Sequence, residues 1–141
     1  MAGYSGKPLA AKLGIKPGKP GMQVVLLGAP DALDALLAPL PEGVTIARSL
    51  DDGTAVQFLH YFTTQQAQLQ ADFAALKAAL APAGMLWISW PKRASKVATD
   101  LDEHVIRATG LAHGLVDVKV AAVDETWSAL KFVYRKADRP R

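Results

Sequence analysis

Two segments of the chain carry side chains that could bind a charged small molecule. The first, residues 91–96 (PKRASK), contains the hydroxyl of Ser95 and three cations, among them Lys92 and Lys96. It lies just before Thr99, where we expect a helix to begin. Free amides at a helix start, together with nearby lysines, attract phosphate or carboxylate groups. The segment therefore predicts an anion site; the alternative is a loop of solvated charge.

The second segment, residues 124–128 (DETWS), offers two carboxylates, two hydroxyls and an indole. Asp124 and Glu125 could divide the roles of base and acid if burial separated their pKa values. The alternative is structural, with both carboxylates forming a salt-bridged lid over the lysines of the first segment. Trp127 begins a predicted strand, where an indole either packs against the core or stacks on a ligand.

Other kinds of site find little support in the sequence. The chain has no cysteine, which excludes disulfides, thiolate metal ligands and a cysteine nucleophile. His60 lies near the end of a predicted strand and is either a base or a hydrogen-bonded, half-buried residue. The three histidines lack the spacing of metal ligands, so we predict no metal site. The sequence also contains neither a Gly-x-Ser-x-Gly elbow nor a Walker loop, which argues against hydrolases and NTPases.

Composition favours one compact domain, which we take as residues 1–141. Half of the residues are hydrophobic and 21% are charged, so the chain can bury a core and is not of the disordered type. No apolar stretch resembles a secretory leader or reaches bilayer length, which predicts a cytoplasmic protein without membrane contact. The net charge of +3 is concentrated near the two ends. We interpret these ends as solvated tails and do not expect nucleic-acid binding.

Strands and helices alternate along the sequence. Residues 22–27 (MQVVLL) form an almost continuously apolar run, typical of a strand buried on both faces of a parallel sheet. Residues 65–81 show one apolar stripe at three- and four-residue steps, which indicates an amphipathic helix. The predicted strands are 22–27, 44–47, 55–61, 85–90, 116–123 and 127–134. The predicted helices are 8–13, 31–38, 65–81 and one from Thr99 to Gly110 or Gly114, with Asp102 completing a capping box and Leu101, Val105, Ala108 and Leu111 facing inward.

This alternation predicts an α/β fold, a three-layer doubly wound (Rossmann-like) and mostly parallel sheet. A short connection at residues 124–126 joins the last two strands as an antiparallel hairpin. We expect the spatial order 2-1-3-4-6-5 with strand 6 antiparallel. Residues 1–21 should form a helix and linker packed on this domain, with Tyr4 and Ser5 near the crevice at the carboxyl ends of the strands. Ser5 joins the candidate ligand residues for that reason.

The end of the predicted third helix and the strand after it carry a resemblance. Residues 80–84 (LAPAG) and 85–91 (MLWISWP) are similar to the Leu-Lys-Pro-Gly-Gly turn and following strand of Rossmann-like methyltransferases. The sheet of that family also ends in an antiparallel hairpin, as residues 116–134 would here. The resemblance implies the layout of that family and raises the question of S-adenosylmethionine binding.

The sequence departs from the methyltransferase pattern where that family holds its cofactor. The family has a glycine-rich loop after its first strand, whereas this chain has residues 28–31 (GAPD), with one glycine and a proline that lacks an amide donor. One strand–helix unit is also missing between Ala47 and Ala55. Asp51 or Asp52 either imitates a ribose-binding acid or belongs to a turn. We therefore expect weak or absent S-adenosylmethionine binding.

A second resemblance spans nearly the whole chain. It rests on residues 3–10 (GYSGKPLA), 12–16 (KLGIK), 90–92 (WPK) and 124–128 (DETWS). These segments resemble a small bacterial family catalogued, in words, as domain of unknown function three-zero-five-two. The resemblance implies a bacterial protein and brings no activity with it.

Three functions remain open at this point. The leading hypothesis is a Rossmann-like domain of unknown function that holds an anionic small molecule between the 91–96 and 124–128 segments. The first alternative is a cut-down S-adenosylmethionine-dependent methyltransferase-like enzyme. The second is a protein-interaction subunit without catalysis. The residues identify no cofactor, substrate, oligomeric state or physiological partner.

Overall fold

The computed structural model describes residues 8–15, 23–50 and 55–139. The helices are α1 (Leu9–Leu13), α2 (Leu33–Leu37), α3 (Gln66–Ala79) and α4 (Glu103–Ala112), and the strands are β1 (Gln23–Leu27), β2 (Thr45–Ala47), β3 (Val56–Phe62), β4 (Leu80–Pro91), β5 (Leu115–Ala122) and β6 (Trp127–Tyr134). Short 3₁₀ turns cover Arg93–Ser95 and Lys136–Asp138. The predictions made for Tyr4, Ser5, Asp51 and Asp52 lie outside the described residues.

The strands form one sheet in the order β2-β1-β3-β4-β6-β5. Strand β1 pairs in parallel with both β2 and β3, and β3 pairs in parallel with β4. Strand β6 runs antiparallel to both of its neighbours, β4 and β5. The predicted fold class, strand order and antiparallel position are confirmed.

Helices cover both faces of the sheet and make three layers. On one face, α1 and α2 contribute Leu13 and Leu37 to a core cluster that also contains Trp87. On the other, α3 and α4 contribute Phe73 and Ile106 to the larger cluster. The fully buried Trp87 donates its indole N–H to the carbonyl of Leu13 at 2.9 Å, which fixes α1 to the sheet. Within the described ranges, no helix combines the length and apolar character needed to cross a bilayer.

Strand β4 begins earlier than predicted. We expected a helix through Ala81 and a strand from Met85, but α3 ends at Ala79 and β4 runs from Leu80. Leu80 already pairs with Val56, while Met85 pairs with Phe58, so the residues between them form an irregularity in the ladder. A bulge of this kind accommodates a proline within a strand, and Pro82 lies there.

Helix α4 begins later than predicted. The expected start at Thr99 is wrong, because the helix runs from Glu103 and Asp102 is its N-cap, accepting the amide of Val105 at 2.9 Å. The hydroxyl of Thr99 instead donates to the carbonyl of Thr64 at 2.7 Å. The same hydroxyl accepts the amide of Leu101 at 3.1 Å, so Thr99 closes a local turn before the helix and Asp102 caps the helix itself.

The predicted inner face of α4 is also partly wrong. Ala108 and Leu111 are exposed, whereas Ile106, Thr109 and Gly110 are buried. The apolar residues keep their three- and four-residue spacing, but the helix packs with a different face toward the sheet from the one predicted. Gly110 lies on that buried face. Phe132 occupies the space there: a Cβ atom on Gly110 would lie 2.0 Å from its ring.

Candidate functional site

The carboxyl ends of the parallel strands meet the beginning of β6 at one edge of the sheet. Pro91, the last residue of β4, pairs with Trp127, the first of β6. The amide of Lys92 donates to the carbonyl of Thr126 at 2.7 Å, and the Lys92 ammonium donates to the carbonyl of Asp124 at 2.6 Å. The two segments that sequence reasoning selected are therefore neighbours.

A groove with a volume of about 540 Å³ opens at the carboxyl end of β4, between the loop after that strand and the start of α4. We call it the β4–α4 groove. Its lining residues are Trp90, Pro91, Lys92, Arg93, Val97, Thr99, Asp100, Leu101, Asp102, Glu103 and Ser128.

Two cations line one part of this groove. The Lys92 ammonium is held by a neutral carbonyl, so its charge is not balanced there, and two of its three protons remain available. Arg93 is exposed at the first position of the 3₁₀ turn. Among the described residues, the ion pairs are those of Arg48 and Arg107, and none includes Lys92 or Arg93.

Three carboxylates line another part of the groove. Asp100 accepts the amide of Gln66 at 2.7 Å, and Asp102 accepts the first-turn amide of α4. Glu103 pairs with Arg107, which also binds Asp117 at 2.9 Å. Hydrogen bonds from Arg107 to Asp117 and to Glu103 raise the pKa of this guanidinium. Glu103 is therefore the only one of the three groove carboxylates with a cationic partner among the described residues.

The residues predicted from the 91–99 region are distributed unevenly around the groove. Lys92 and Thr99 line it. The Ser95 hydroxyl donates to the carbonyl of Lys92 at 2.7 Å and accepts the amide of Val97, so it shapes the loop. Lys96 has a φ of 62° and lies outside the lining residues. The structure thus places Lys92 and Thr99 in the groove lining, and Ser95 and Lys96 outside it.

The predicted residues of the 124–128 segment mainly build the hairpin. The Asp124 carboxylate accepts the amides of Thr126 and Trp127, both at 2.8 Å. Glu125 is exposed, and Trp127 packs edge-on against Phe62 with 5.2 Å between ring centroids. Lys92 does hold this hairpin, but through a backbone carbonyl rather than the predicted salt bridge.

Sequence reasoning missed the acidic lining of the groove. Asp100 and Glu103 were not selected, and Asp102 was considered only as a helix cap. The available signal was three carboxylates within the four residues 100–103, a few positions after a cationic loop. Because a strand end and the start of the next helix share one sheet edge, such a pair of segments forms two walls of one cavity.

His60 lies away from the groove, in the core of the sheet. Its side chain is fully buried rather than half-buried, with Nε2 2.6 Å from the Ser89 hydroxyl and the ring stacked on Phe62 at 4.3 Å. Burial lowers the pKa of His60 to about 3, so the ring is neutral. Its Nδ1 has no hydrogen-bond partner in the described part of the chain. Unpaired buried N–H groups are rarer than unpaired acceptors, so we assign the ring proton to Nε2, which donates to Ser89.

The chain matches no family model and no curated protein. A solved structure of LepI in complex with SAM is similar, with a TM-score of 0.50 and 14% identity over 90% of this chain and 39% of LepI. The Methanococcus jannaschii fibrillarin pre-rRNA processing protein gives a TM-score of 0.51 and 15% identity over 89% of this chain and 73% of that one. The fold is methyltransferase-like. The chain spans well under half the length of LepI. At such low sequence identity, the structural similarity to these two proteins establishes the fold alone.

In this methyltransferase-like fold, the loop after β1 is tied to its neighbours. Gly28 has a φ of 69°, and a Cβ atom there would lie 2.7 Å from the carbonyl oxygen of Phe62. Arg48 donates to the carbonyl of Ala29 at 3.3 Å, while the carbonyl of Pro30 accepts the amide of Leu33. Two carbonyl oxygens of this loop therefore accept internal hydrogen bonds, and Pro30 has no amide to offer.

Proposed function

We propose that this chain is a ligand-binding domain of methyltransferase-like fold that holds an anionic small molecule in the β4–α4 groove. The observation that carries the proposal is the pair of groove cations, Lys92 and Arg93, neither of which pairs with a carboxylate among the described residues. A phosphate or carboxylate bound there would receive charge-assisted hydrogen bonds. Arg93 can present two parallel N–H groups to such an anion, and Lys92 can add a third donor.

The form of the groove supports the same proposal. Its volume lies within the range of about 300–1,000 Å³ that is usual for small-molecule sites. Trp90, Val97 and Leu101 supply apolar surface, and the hydroxyl of Ser128 adds a polar group. Five of the eleven lining residues are charged, so the groove suits a charged ligand rather than an apolar one.

Thermal unfolding in the presence of inorganic phosphate, at constant ionic strength, tests this function. We expect phosphate to raise the melting temperature of the parent chain, because a ligand at a hundred times its Kd contributes about 2.7 kcal/mol of stability. Arg93→Gln should abolish most of the increase. Lys92→Gln should do the same, although it also removes a contact with the hairpin.

The matched control is Lys96→Gln, which removes a cation from the same loop but outside the groove lining. It should respond to phosphate as the parent does. An equal response in the parent and in Arg93→Gln would contradict the proposed function. A loss confined to Lys96→Gln would also contradict it, and would assign the anion to Lys96, one of the two lysines predicted from the sequence.

The fold supports a methyltransferase-like enzyme as a second candidate. The likeness to LepI and fibrillarin extends over most of this chain, but it supports the shared layout and not the cofactor. The interaction-subunit alternative draws on Val118 and Val120, which are 54% and 48% exposed on the edge strand β5. We also keep membership of the bacterial family and a cytoplasmic location as proposals from the sequence.

A further inference from the structure

The β4–α4 groove has two walls of opposite charge. Lys92 and Arg93 lie on the loop after β4, and Asp100, Asp102 and Glu103 lie on the approach to α4. We infer that the ligand of this groove is a zwitterion, with an anionic group at the cationic wall and an ammonium group at the acidic wall. This inference rests on the proposed function and extends it by naming the class of ligand.

The acidic wall carries more negative charge than its partners balance. Glu103 and Asp117 share the single guanidinium of Arg107. Asp100 and Asp102 have only backbone amides as donors among the described residues. Each of these two carboxylates has a second oxygen with no hydrogen bond to the described residues, and an ammonium group could donate to it.

A ligand with one charge would satisfy only half of the groove. A purely anionic molecule gains at Lys92 and Arg93, but it is repelled by Asp100 and Asp102 on the other wall. A molecule with both charges turns the repulsion into attraction. Repulsion between a protein charge and a like charge on the wrong ligand is a common source of ligand specificity.

The start of α4 does not cancel this preference. A helix N-terminus favours negative charge, but Asp102 already caps α4 and Glu103 already lies in its first turn. A ligand anion at this end would therefore meet carboxylates before it met free amides. The anionic group is directed to Lys92 and Arg93, across the apolar surface formed by Trp90 and Leu101.

Three small probes separate the two charges. O-phosphoethanolamine carries a phosphate and an ammonium group, ethyl phosphate lacks the ammonium, and ethanolamine lacks the phosphate. With titration calorimetry at constant ionic strength, we expect O-phosphoethanolamine to bind at least tenfold more tightly than ethyl phosphate. Ethanolamine should bind most weakly, because the acidic wall alone provides no phosphate contacts.

Charge removal at the acidic wall gives the second arm of the experiment. Asp100→Asn and Asp102→Asn each remove a charge but keep an oxygen that can accept the existing backbone amide, and asparagine is a good helix cap. The double variant should bind both phosphates with nearly equal affinity. Glu125→Gln is the matched control, since it removes an exposed carboxylate that lies outside the groove lining.

The outcomes distinguish the inference from the proposed function. If ethyl phosphate binds as tightly as O-phosphoethanolamine, and Arg93→Gln weakens both, the groove binds anions and the zwitterion inference is overturned. If the double variant keeps the parent's preference, or Glu125→Gln loses it, the inference is also overturned. If neither phosphate binds, or Arg93→Gln leaves their affinities unchanged, the proposed function fails and the inference fails with it.

Discussion

His60 shows how one buried polar residue affects the behaviour of the folded chain. It lies in the middle of the sheet between Leu26 and Trp87 on the neighbouring strands. Its side chain is hydrogen-bonded to Ser89, which is also fully buried. A charged imidazole would have no counter-charge in this cluster of aromatic rings, so burial lowers the pKa to about 3.

This depressed pKa makes the stability of the protein depend on pH. In the unfolded chain the pKa of His60 is 6.5, and in the folded chain it is about 3. Between these values the unfolded state binds the proton, so the free energy of unfolding falls as pH decreases from about 6.5 to about 3. The loss is about 1.4 kcal/mol per pH unit. Above pH 6.5 the histidine is neutral in both states, and its contribution is fully present.

Chemical denaturation between pH 7 and pH 4 measures this dependence. His60→Gln removes the titrating group, so its stability should fall less steeply with pH than that of the parent. His104→Gln, at an exposed position on α4, should keep the parent's slope. The same slope in His60→Gln as in the parent would show that His60 does not carry the effect.

For the candidate site residues, the sequence identifies which side chains are charged but not which way those side chains are oriented. Lys92 and Thr99 were predicted and do line the groove, because one loop joins the end of β4 to the start of α4 at the same edge of the sheet. Asp124 was selected for its carboxylate, yet this group accepts two amides of its own turn. Asp100 was missed because its carboxylate becomes a candidate ligand group only through its position in the groove lining. Such orientation follows from tertiary packing, which a spacing pattern does not encode.

At the scale of elements, α4 packs closely against β6 because α4 has a glycine, Gly110, at the point of contact. Gly110 is buried within α4 and faces the ring of Phe132. Glycine in a helix interior costs about 1 kcal/mol relative to alanine, so its presence needs a packing reason. Here the reason is steric, since the aromatic ring fills the space that a methyl group would take.

We predict that Gly110→Ala destabilises the protein although alanine is the better helix former. Its Cβ would lie 2.0 Å from Phe132 Cε1, and overpacking of this kind typically costs about 1–3 kcal/mol. The exposed Ala108→Gly in the same helix measures the propensity term alone and should cost about 1 kcal/mol. A Gly110→Ala variant more stable than the parent in urea denaturation would contradict the packing argument.

Element boundaries were harder to predict than the elements themselves. The apolar stripe of α3 continues to Leu80, so periodicity alone extends the helix beyond Ala79. The pairing of Leu80 with Val56 overrides that local preference. This strand pairing is a contact between residues distant in sequence, and no local window contains it.

At the scale of the whole molecule, a few general rules on strand hydrophobicity, connection length and crossover handedness were enough to predict the sheet. Continuous apolar strands indicated a parallel arrangement, and the short connection before Trp127 required an antiparallel pair. With right-handed crossovers, these conditions leave few strand orders, and the observed one agrees with the expectation. The same rules do not identify a ligand, because similar sheets support many different functions.

We predict weak or absent binding of S-adenosylmethionine. The loop after β1 has one glycine, Pro30 lacks an amide, and Arg48 already occupies the carbonyl of Ala29. Titration calorimetry at millimolar S-adenosylmethionine should give no saturable heat. O-phosphoethanolamine in the same preparation provides the comparison for a binding-competent protein. A micromolar Kd for S-adenosylmethionine would contradict this prediction and favour the methyltransferase-like enzyme.

The position of β6 also bears on how the protein is made. Strand β6 follows β5 along the chain but lies between β5 and β4 in the sheet. During translation β5 therefore emerges with no partner, and the edge of β4 from Leu86 to Pro91 stays open until residues 127–134 leave the ribosome. An open edge of this kind can pair with other nascent chains. Until β6 is available, this edge is therefore the part of the sheet most exposed to aggregation.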